Sequence, residues 1–290
     1  MTRSTLFLAI KFGLLLVWYF FSAAVAAHVA ANYIGLPPQE QSTDLMQRVF
    51  LVACLEVATL CWLVSNLHTS LVRTTLIVFC FYHVTKHALM LLEALFYLNL
   101  WNKPALLSIN EIIGLEIMGL ISSAALCVAV VLVFGQHRRG QTPRHSSFTP
   151  SWRFLLTGGV SYTLCYCLAG ALILIPLAAQ SYSQSYENLA VPIWMPILQL
   201  GRGMVWSLLI GICLASFLKQ NLAYSSVLIS TCLVVFSTAQ LLIPNSMMPD
   251  QLQAAHIIEL VVSMSIFGAL TTWAWLRTQT KQQGQNRPVR

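Results

Sequence analysis

Five of the nine acidic residues in this 290-residue chain lie inside hydrophobic stretches long enough to cross a bilayer, together with one lysine and one arginine. An ionised group at membrane depth costs about 2.5–3.5 kcal/mol, so seven facing lipid would cost roughly 15–25 kcal/mol. A typical domain has a net stability of only about 5–15 kcal/mol. We therefore expect these groups to face inward and to form a site for an ion, a proton or a small solute: Glu56, Lys86, Glu93, Glu111, Glu116, Arg202 and Glu259.

Histidines accompany these charged residues at helical spacing. His83 and His87 are four residues apart and would share one face of a helix. His256 and Glu259 begin a polar stripe that continues to Ser263. Because imidazole and carboxylate groups bind transition metals and haem iron, the histidines suggest an alternative metal site: His83, His87 and His256.

The two intramembrane cations need acidic partners. Lys86 has three candidate partners, of which Glu93 is seven residues away on the same side of a helix; the others are Glu56 and Glu111. For Arg202, which lies between two glycines, we expect Glu259 or Glu116. Either cation could instead hold an anionic ligand.

The segments that carry these residues are membrane spans. The chain is 57% hydrophobic and 9% charged, whereas soluble domains are about a quarter charged. We predict an all-α bundle of about eight transmembrane helices at residues 5–30, 48–67, 72–98, 106–134, 153–179, 192–218, 223–243 and 252–276.

The distribution of lysine and arginine predicts the orientation. Placing both termini in the cytoplasm puts twelve of the sixteen basic residues on the inner side. The chain then divides into one half at 1–135, a basic cytoplasmic loop at 136–152, a second half at 153–276 and a cytoplasmic tail at 277–290. A short similarity between Glu111-Ile112-Ile113 and His256-Ile257-Ile258 hints at a weak 4+4 repeat.

In this orientation the intramembrane polar residues lie in the middle and outer half of the membrane, which favours a polar cavity open to the external face. Proton-coupled or ion and small-molecule transport fits this pattern best. Pro192 and Pro196 hint that the sixth span is discontinuous. Two alternatives remain: a metal- or haem-binding protein of the outer leaflet, and a membrane-embedded enzyme that acts on a lipid, with His256 or Glu259 as base and Arg202 binding a phosphate.

Other classes of function find little support in the sequence. Soluble-enzyme and nucleotide-binding motifs are absent, and no particular cofactor is indicated. The basic residues flank apolar spans rather than forming one face, so we expect a lipid bilayer, and no nucleic acid, as the partner. The absence of any N-x-S/T sequon and the short polar loops suit a bacterial inner membrane.

Overall fold

A computed structural model describes residues 3–34, 43–98, 108–135, 150–186, 193–217, 221–244 and 248–285. The α-helices in these ranges are α1 (Arg3–Ile34), α2 (Thr43–Asn66), α3 (Leu71–His83), α4 (Leu89–Leu98), α5 (Ile109–Phe134), α6 (Trp152–Ala169), α7 (Ile175–Leu177), α8 (Ala179–Tyr186), α9 (Met195–Ala215), α10 (Leu222–Thr238) and α11 (Asp250–Gln285). Two π-helical turns (Val84–Ala88 and Gly170–Leu174) and one 3-10 turn (Ala239–Leu242) complete them.

Eight segments of the described chain are long and apolar enough to cross a membrane, which confirms the predicted all-α membrane bundle. We number them as spans 1 to 8: Ser4–Asn32, Thr43–Asn66, Leu71–Phe96, Ile109–Phe134, Trp152–Leu177, Met195–Ala215, Leu222–Leu242 and Asp250–Gln279. Large apolar side chains such as Val17, Val72 and Leu172 are exposed around the bundle, as expected for contact with acyl chains.

Several helices begin at a side chain that caps the first free backbone N–H groups. Ser70, Ser151 and Asn221 each accept a hydrogen bond from the backbone N–H three residues later. These caps fix where spans 3, 5 and 7 start. At the same end of the bundle, where Phe154 packs on Trp275, α11 continues to Gln285, past the predicted end of the eighth span at residue 276.

The helices pack most extensively within the first four spans and within the last four. The two groups meet through spans 2 and 7 and through spans 3 and 6. Where span 2 ends, Leu67 forms an antiparallel bridge with Phe217 at the end of span 6, and the His68 N–H donates to the Ser216 carbonyl at 2.8 Å. The chain segments that follow spans 2 and 6 therefore lie side by side.

The breaks in helical geometry lie in other spans than the sixth, where Pro192 and Pro196 suggested one. The expectation of a discontinuous sixth span is wrong for residues 195–215: Pro196 lies in the first turn of α9, where its missing N–H removes no helical bond. Pro192 lies outside the described residues, as does most of the basic loop, 136–149. Instead spans 3, 5 and 7 change geometry, and in span 5 the π turn precedes Pro176, whose ring would clash with the Leu172 carbonyl in a regular helix.

Candidate functional site

An ion pair joins Glu56 of span 2 to Lys86 of span 3 in the interior of the bundle. The Lys86 Nζ donates to Glu56 Oε2 at 2.6 Å, and the two side chains are only 7% and 0% exposed. The Tyr82 hydroxyl donates to the same carboxylate oxygen at 2.6 Å and accepts from Lys86 at 2.9 Å. The three groups form a closed triangle in which each charge is compensated.

Two aromatic rings surround the Lys86 ammonium. Its Nζ lies 5.1 Å from the ring centroid of Tyr82 and 5.6 Å from that of Tyr19 in span 1. Both distances fall within the range of cation–π attraction, about 6 Å. Neither tyrosine was predicted: the spacing of four between Tyr82 and Lys86 was a usable signal, whereas nothing in the sequence connects Tyr19 to this lysine.

Lys86 and His87 lie in the π-helical turn Val84–Ala88 of span 3. The Leu89 N–H bonds the Val84 carbonyl, five residues back, where an α-helix would bond four residues back. Single π turns inside α-helices are rare and occur frequently at functional sites. The extra residue rotates the helix faces on its two sides by about 100°, one residue's share of a 3.6-residue turn.

A cavity of about 160 Å³ adjoins the pair. It is lined by side chains from spans 1, 3, 4 and 7: Tyr19, Ser22, Ala23, Tyr82, Lys86, His87, Met118, Ser122, Leu126 and Gln240. A water molecule takes about 30 Å³ of liquid volume, and pockets for drug-sized ligands hold about 300–1,000 Å³. The cavity therefore suits several waters or a solute of a few heavy atoms.

A second polar contact joins span 3 to span 4 beside the His87 ring, which lines the cavity. His83 Nε2 lies 2.9 Å from Glu116 Oε1. The ring centroids of His83 and His87 are 5.7 Å apart, and the two ring planes are tilted by 33°. Their predicted shared face is thus confirmed. The His87 ring packs against the backbone at Gly119, where a Cβ would lie only 2.7 Å from the ring.

A third network crosses between the halves. Arg202 Nη1 lies 2.6 Å from Glu93 Oε2, and the arginine is 2% exposed. Gln199 bridges the two groups, accepting from Arg202 at 2.9 Å and donating to Glu93 Oε1 at 3.0 Å. The Tyr166 hydroxyl also donates to that oxygen at 3.3 Å, and the guanidinium lies 5.0 Å from the ring centroid of Trp206.

These contacts settle the partners of the two cations. Lys86 pairs with Glu56, one of its three predicted partners. For Arg202 the predicted partners, Glu259 and Glu116, are wrong, because span 3 presents Glu93 to it.

The remaining predicted residues lie in other surroundings. Glu259 forms a hydrogen bond with His256, whose Nδ1 lies 2.6 Å from Glu259 Oε2. Glu111 lies at the start of α5 in a capping box: its carboxylate accepts from the Ser108 N–H, and its own N–H donates to the Ser108 hydroxyl. The predicted residues therefore form separate clusters rather than one pocket, and among them Lys86 and His87 line the cavity.

The alternative metal site is not assembled in the part of the chain that the structure describes. No three His, Cys, Asp or Glu side chains there come close enough to hold a metal ion. His256, the third residue of the predicted set, bonds instead with Glu259. Four of the free cysteines are buried in the apolar packing and do not supply the missing metal ligand: Cys61, Cys127, Cys213 and Cys232.

The geometry permits one kind of chemistry most directly. A buried carboxylate and a buried ammonium share a hydrogen bond beside a cavity, with an imidazole on the same wall. Such a set can take up and release protons and can hold a small charged solute. The chain matches no protein-family model, no curated protein and no solved structure, so its function has to be argued from these side chains.

Proposed function

We propose that the protein is a transporter that couples the movement of a small anion to the movement of a proton. The observation that carries this proposal is the Glu56–Lys86 pair beside the cavity. Ionisable groups inside membrane spans are costly and usually mark ion or substrate pathways. The exposed apolar surface supports a bilayer setting, and the sequence favours a bacterial inner membrane.

Charge balance gives the pair its role in coupling. In the resting pair the charges of Glu56 and Lys86 cancel. A proton on Glu56 removes the negative charge and leaves the ammonium uncompensated next to the cavity, where an anion can replace the carboxylate. The net charge of the site is zero before and after proton and anion bind together, whereas protonation alone would leave an unfavourable unpaired charge at low dielectric. Proton and anion therefore bind together and leave together.

The helix breaks support movement around this site. Span 3 changes to π geometry at Lys86 and His87, and span 7 changes to 3-10 geometry at Gln240, which also lines the cavity. Transporters commonly bind their substrates near the membrane midplane, beside interrupted helices. The two groups of four spans provide bodies that could rock against each other at this place.

The other two hypotheses have less support. Metal binding lacks a three-residue ligand cluster in the described chain. For a membrane-embedded enzyme that acts on a lipid, Arg202 would need to face a phosphate, but it is 2% exposed and bonded to both Glu93 and Gln199.

The experiment is flux into proteoliposomes that contain the full chain. Radiolabelled lactate, phosphate and sulfate serve as probes, each added outside with the external pH lower than the internal pH. We expect at least one anion to accumulate, and a protonophore to abolish its accumulation.

Two variants test the coupling. Glu56→Gln imitates the protonated carboxyl, so exchange of the anion at equal pH should persist while proton-driven accumulation is lost. Lys86→Met combined with Glu56→Gln removes both charges and should abolish both. Lys11→Met is the matched control, since Lys11 bonds the Val133 carbonyl in span 4, away from the cavity lining. Absence of proton-dependent flux with all three probes, or wild-type flux in the double variant, would overturn the proposal.

A further inference from the structure

We infer that Glu116, His83 and His87 form the path by which the proton enters the cavity; this inference rests on the transport proposed above. We call these three residues the relay. It would supply the proton that Glu56 takes up when the anion binds to Lys86.

The relay runs from the surface of the bundle to its interior. The Glu116 side chain is 37% exposed, whereas His83, bonded to it at 2.9 Å, is 7% exposed. The next ring, His87, lies 5.7 Å from His83 and lines the cavity together with Lys86. The span 4 helix is about 39 Å long and Glu116 lies about 10 Å from its start, so its carboxylate is within a few ångströms of the headgroup region of a bilayer with a hydrocarbon core of about 30 Å.

Each residue of the relay has a buried polar atom that is free to bind a proton or a water molecule. His83 Nδ1, His87 Nε2 and Glu116 Oε2 are buried, and the described part of the chain offers none of them a hydrogen-bond partner. Buried polar atoms are usually bonded, so unpaired ones call for an explanation such as a catalytic role or a bound water. Glu56 Oε1, the atom next to the proposed end of the path, is also without a partner among the described residues. These atoms are the ones that a proton must use on its way from one residue to the next.

The proton transfer balances at each residue. Protonated Glu116 gives its proton to Nε2 of neutral His83, which releases the proton on Nδ1 towards His87. The ring centroids are 5.7 Å apart, and His83 Nδ1 and His87 Nε2 form no hydrogen bond with each other, so the relay needs one water molecule between the rings. His87 releases a proton in turn into cavity water, which delivers it to the Glu56 carboxylate. Both histidines are neutral before and after, and rotation of the rings restores their tautomers.

Neighbouring side chains pack against the relay residues, and several of these neighbours are charged or titratable. Phe79 stacks on His83 with ring centroids 5.4 Å apart, and Gly119 lies against His87. The titratable or charged groups around the two rings are Glu116 from span 4, which bonds His83, and Tyr19, Tyr82 and Lys86, which line the cavity with His87. Glu56 from span 2 follows behind Lys86, to which it is bonded. From span 7 the cavity receives only the neutral amide of Gln240 among the described residues.

The test separates proton delivery from anion binding in proteoliposomes of the full chain. Internal pyranine reports acidification when lactate, phosphate or sulfate is added outside at lower pH. Counterflow of the same labelled anion at equal pH reports binding and movement without net proton transfer. The relay variants are Glu116→Gln, His83→Gln and His87→Gln. Their matched controls are Glu111→Gln in the same span and His28→Gln, whose ring is exposed and contacts Asn32.

Each relay variant should lose proton-driven accumulation on the order of 10²-fold, the low end of what a positioned proton donor contributes, while keeping counterflow. The controls should behave as wild type. Relay variants that acidify the vesicles as fast as wild type overturn the relay alone and leave the coupled transport standing. Loss of counterflow together with acidification assigns the residues to folding or anion binding, and also overturns the relay. Wild-type protein without any acidification overturns the proposed function and the relay together.

Discussion

Glu93 and Arg202 join the two halves of the bundle through a 2.6 Å contact between span 3 and span 6. The pair is almost fully buried, with side-chain exposures of 16% and 2%, and Gln199 bonds both partners. Burial of two opposite charges adds little net stability by itself, but removal of one partner leaves the other charge uncompensated. The pair is therefore a sensitive point of contact between the halves.

We expect Arg202→Met to lower the free energy of unfolding by about 3–5 kcal/mol, because Glu93 would remain buried without its counter-charge. Arg48→Met is the matched control: Arg48 pairs with Asp44, and the two side chains are 49% and 64% exposed. Such a surface pair contributes about 0–1 kcal/mol. Denaturant titration in detergent measures the free energy of unfolding of both variants. Equal losses of stability would contradict the idea that burial makes the Arg202 pair more sensitive than the surface pair.

The sequence was sufficient to predict the spans but not the pairing of charges. Length and apolar content locate eight helices, and these agree with the structure within a few residues. Lys86 and Glu93, seven residues apart, should share a face of a regular α-helix. The π turn Val84–Ala88 intervenes and rotates the face that follows it, so Lys86 meets span 2 while Glu93 meets span 6. The turn contains no proline or glycine, so the sequence gives no signal for it.

The residues that line the cavity could not be predicted from the sequence either. The lining comes from four spans, and several of the residues concerned are polar groups in largely apolar runs, such as Ser22, Ser122 and Gln240. An isolated serine or glutamine in a span can equally bond a backbone carbonyl, as Ser122 does with Met118. Only the packing of the spans shows that these groups face the same space as Lys86.

A double-mutant cycle on Glu56 and Lys86 should show strong coupling. Glu56→Gln and Lys86→Met should each destabilise the bundle by about 3–5 kcal/mol, since each leaves one buried charge unpaired. The double variant should lose much less than the sum, because it holds no charge at this place. Denaturant titration of the four proteins gives the coupling energy. Additive losses would show that the two groups are independently solvated, contrary to their 2.6 Å contact.

The predicted orientation can be checked separately. With both termini in the cytoplasm, a fluorescent protein fused after Arg290 should fluoresce in a bacterial host, and an alkaline phosphatase fused there should be inactive. The physical reason is the excess of lysine and arginine on the predicted inner side. Active phosphatase and a dark fluorescent fusion would invert the topology, and the cavity would then have to be approached from the cytoplasm.

Gly119→Ala should disturb the His87 ring without changing any polar group. The new Cβ would lie 2.7 Å from His87 Cγ, closer than van der Waals contact allows, so the ring must move. We expect proton-driven accumulation to fall while counterflow is retained, as for the relay variants. Gly13→Ala is the control, because a Cβ there meets nothing within 4 Å. Equal accumulation in the two variants would show that the position of His87 does not matter.

The two glycines around Arg202 should respond very differently to the same substitution. A Cβ at Gly203 would lie 2.5 Å from Tyr162 Cβ and 2.9 Å from Gly159 Cα, so spans 5 and 6 would have to separate. At Gly201 a Cβ meets nothing within 4 Å.

We therefore expect Gly203→Ala to destabilise the bundle by about 1–3 kcal/mol, the usual cost of overpacking a close contact. Gly201→Ala should be neutral or stabilising by up to about 1 kcal/mol, because alanine is the better helix former. Denaturant titration in detergent compares the two. Similar effects at both positions would mean that spans 5 and 6 do not approach as closely as the packing at Gly159 and Gly203 requires.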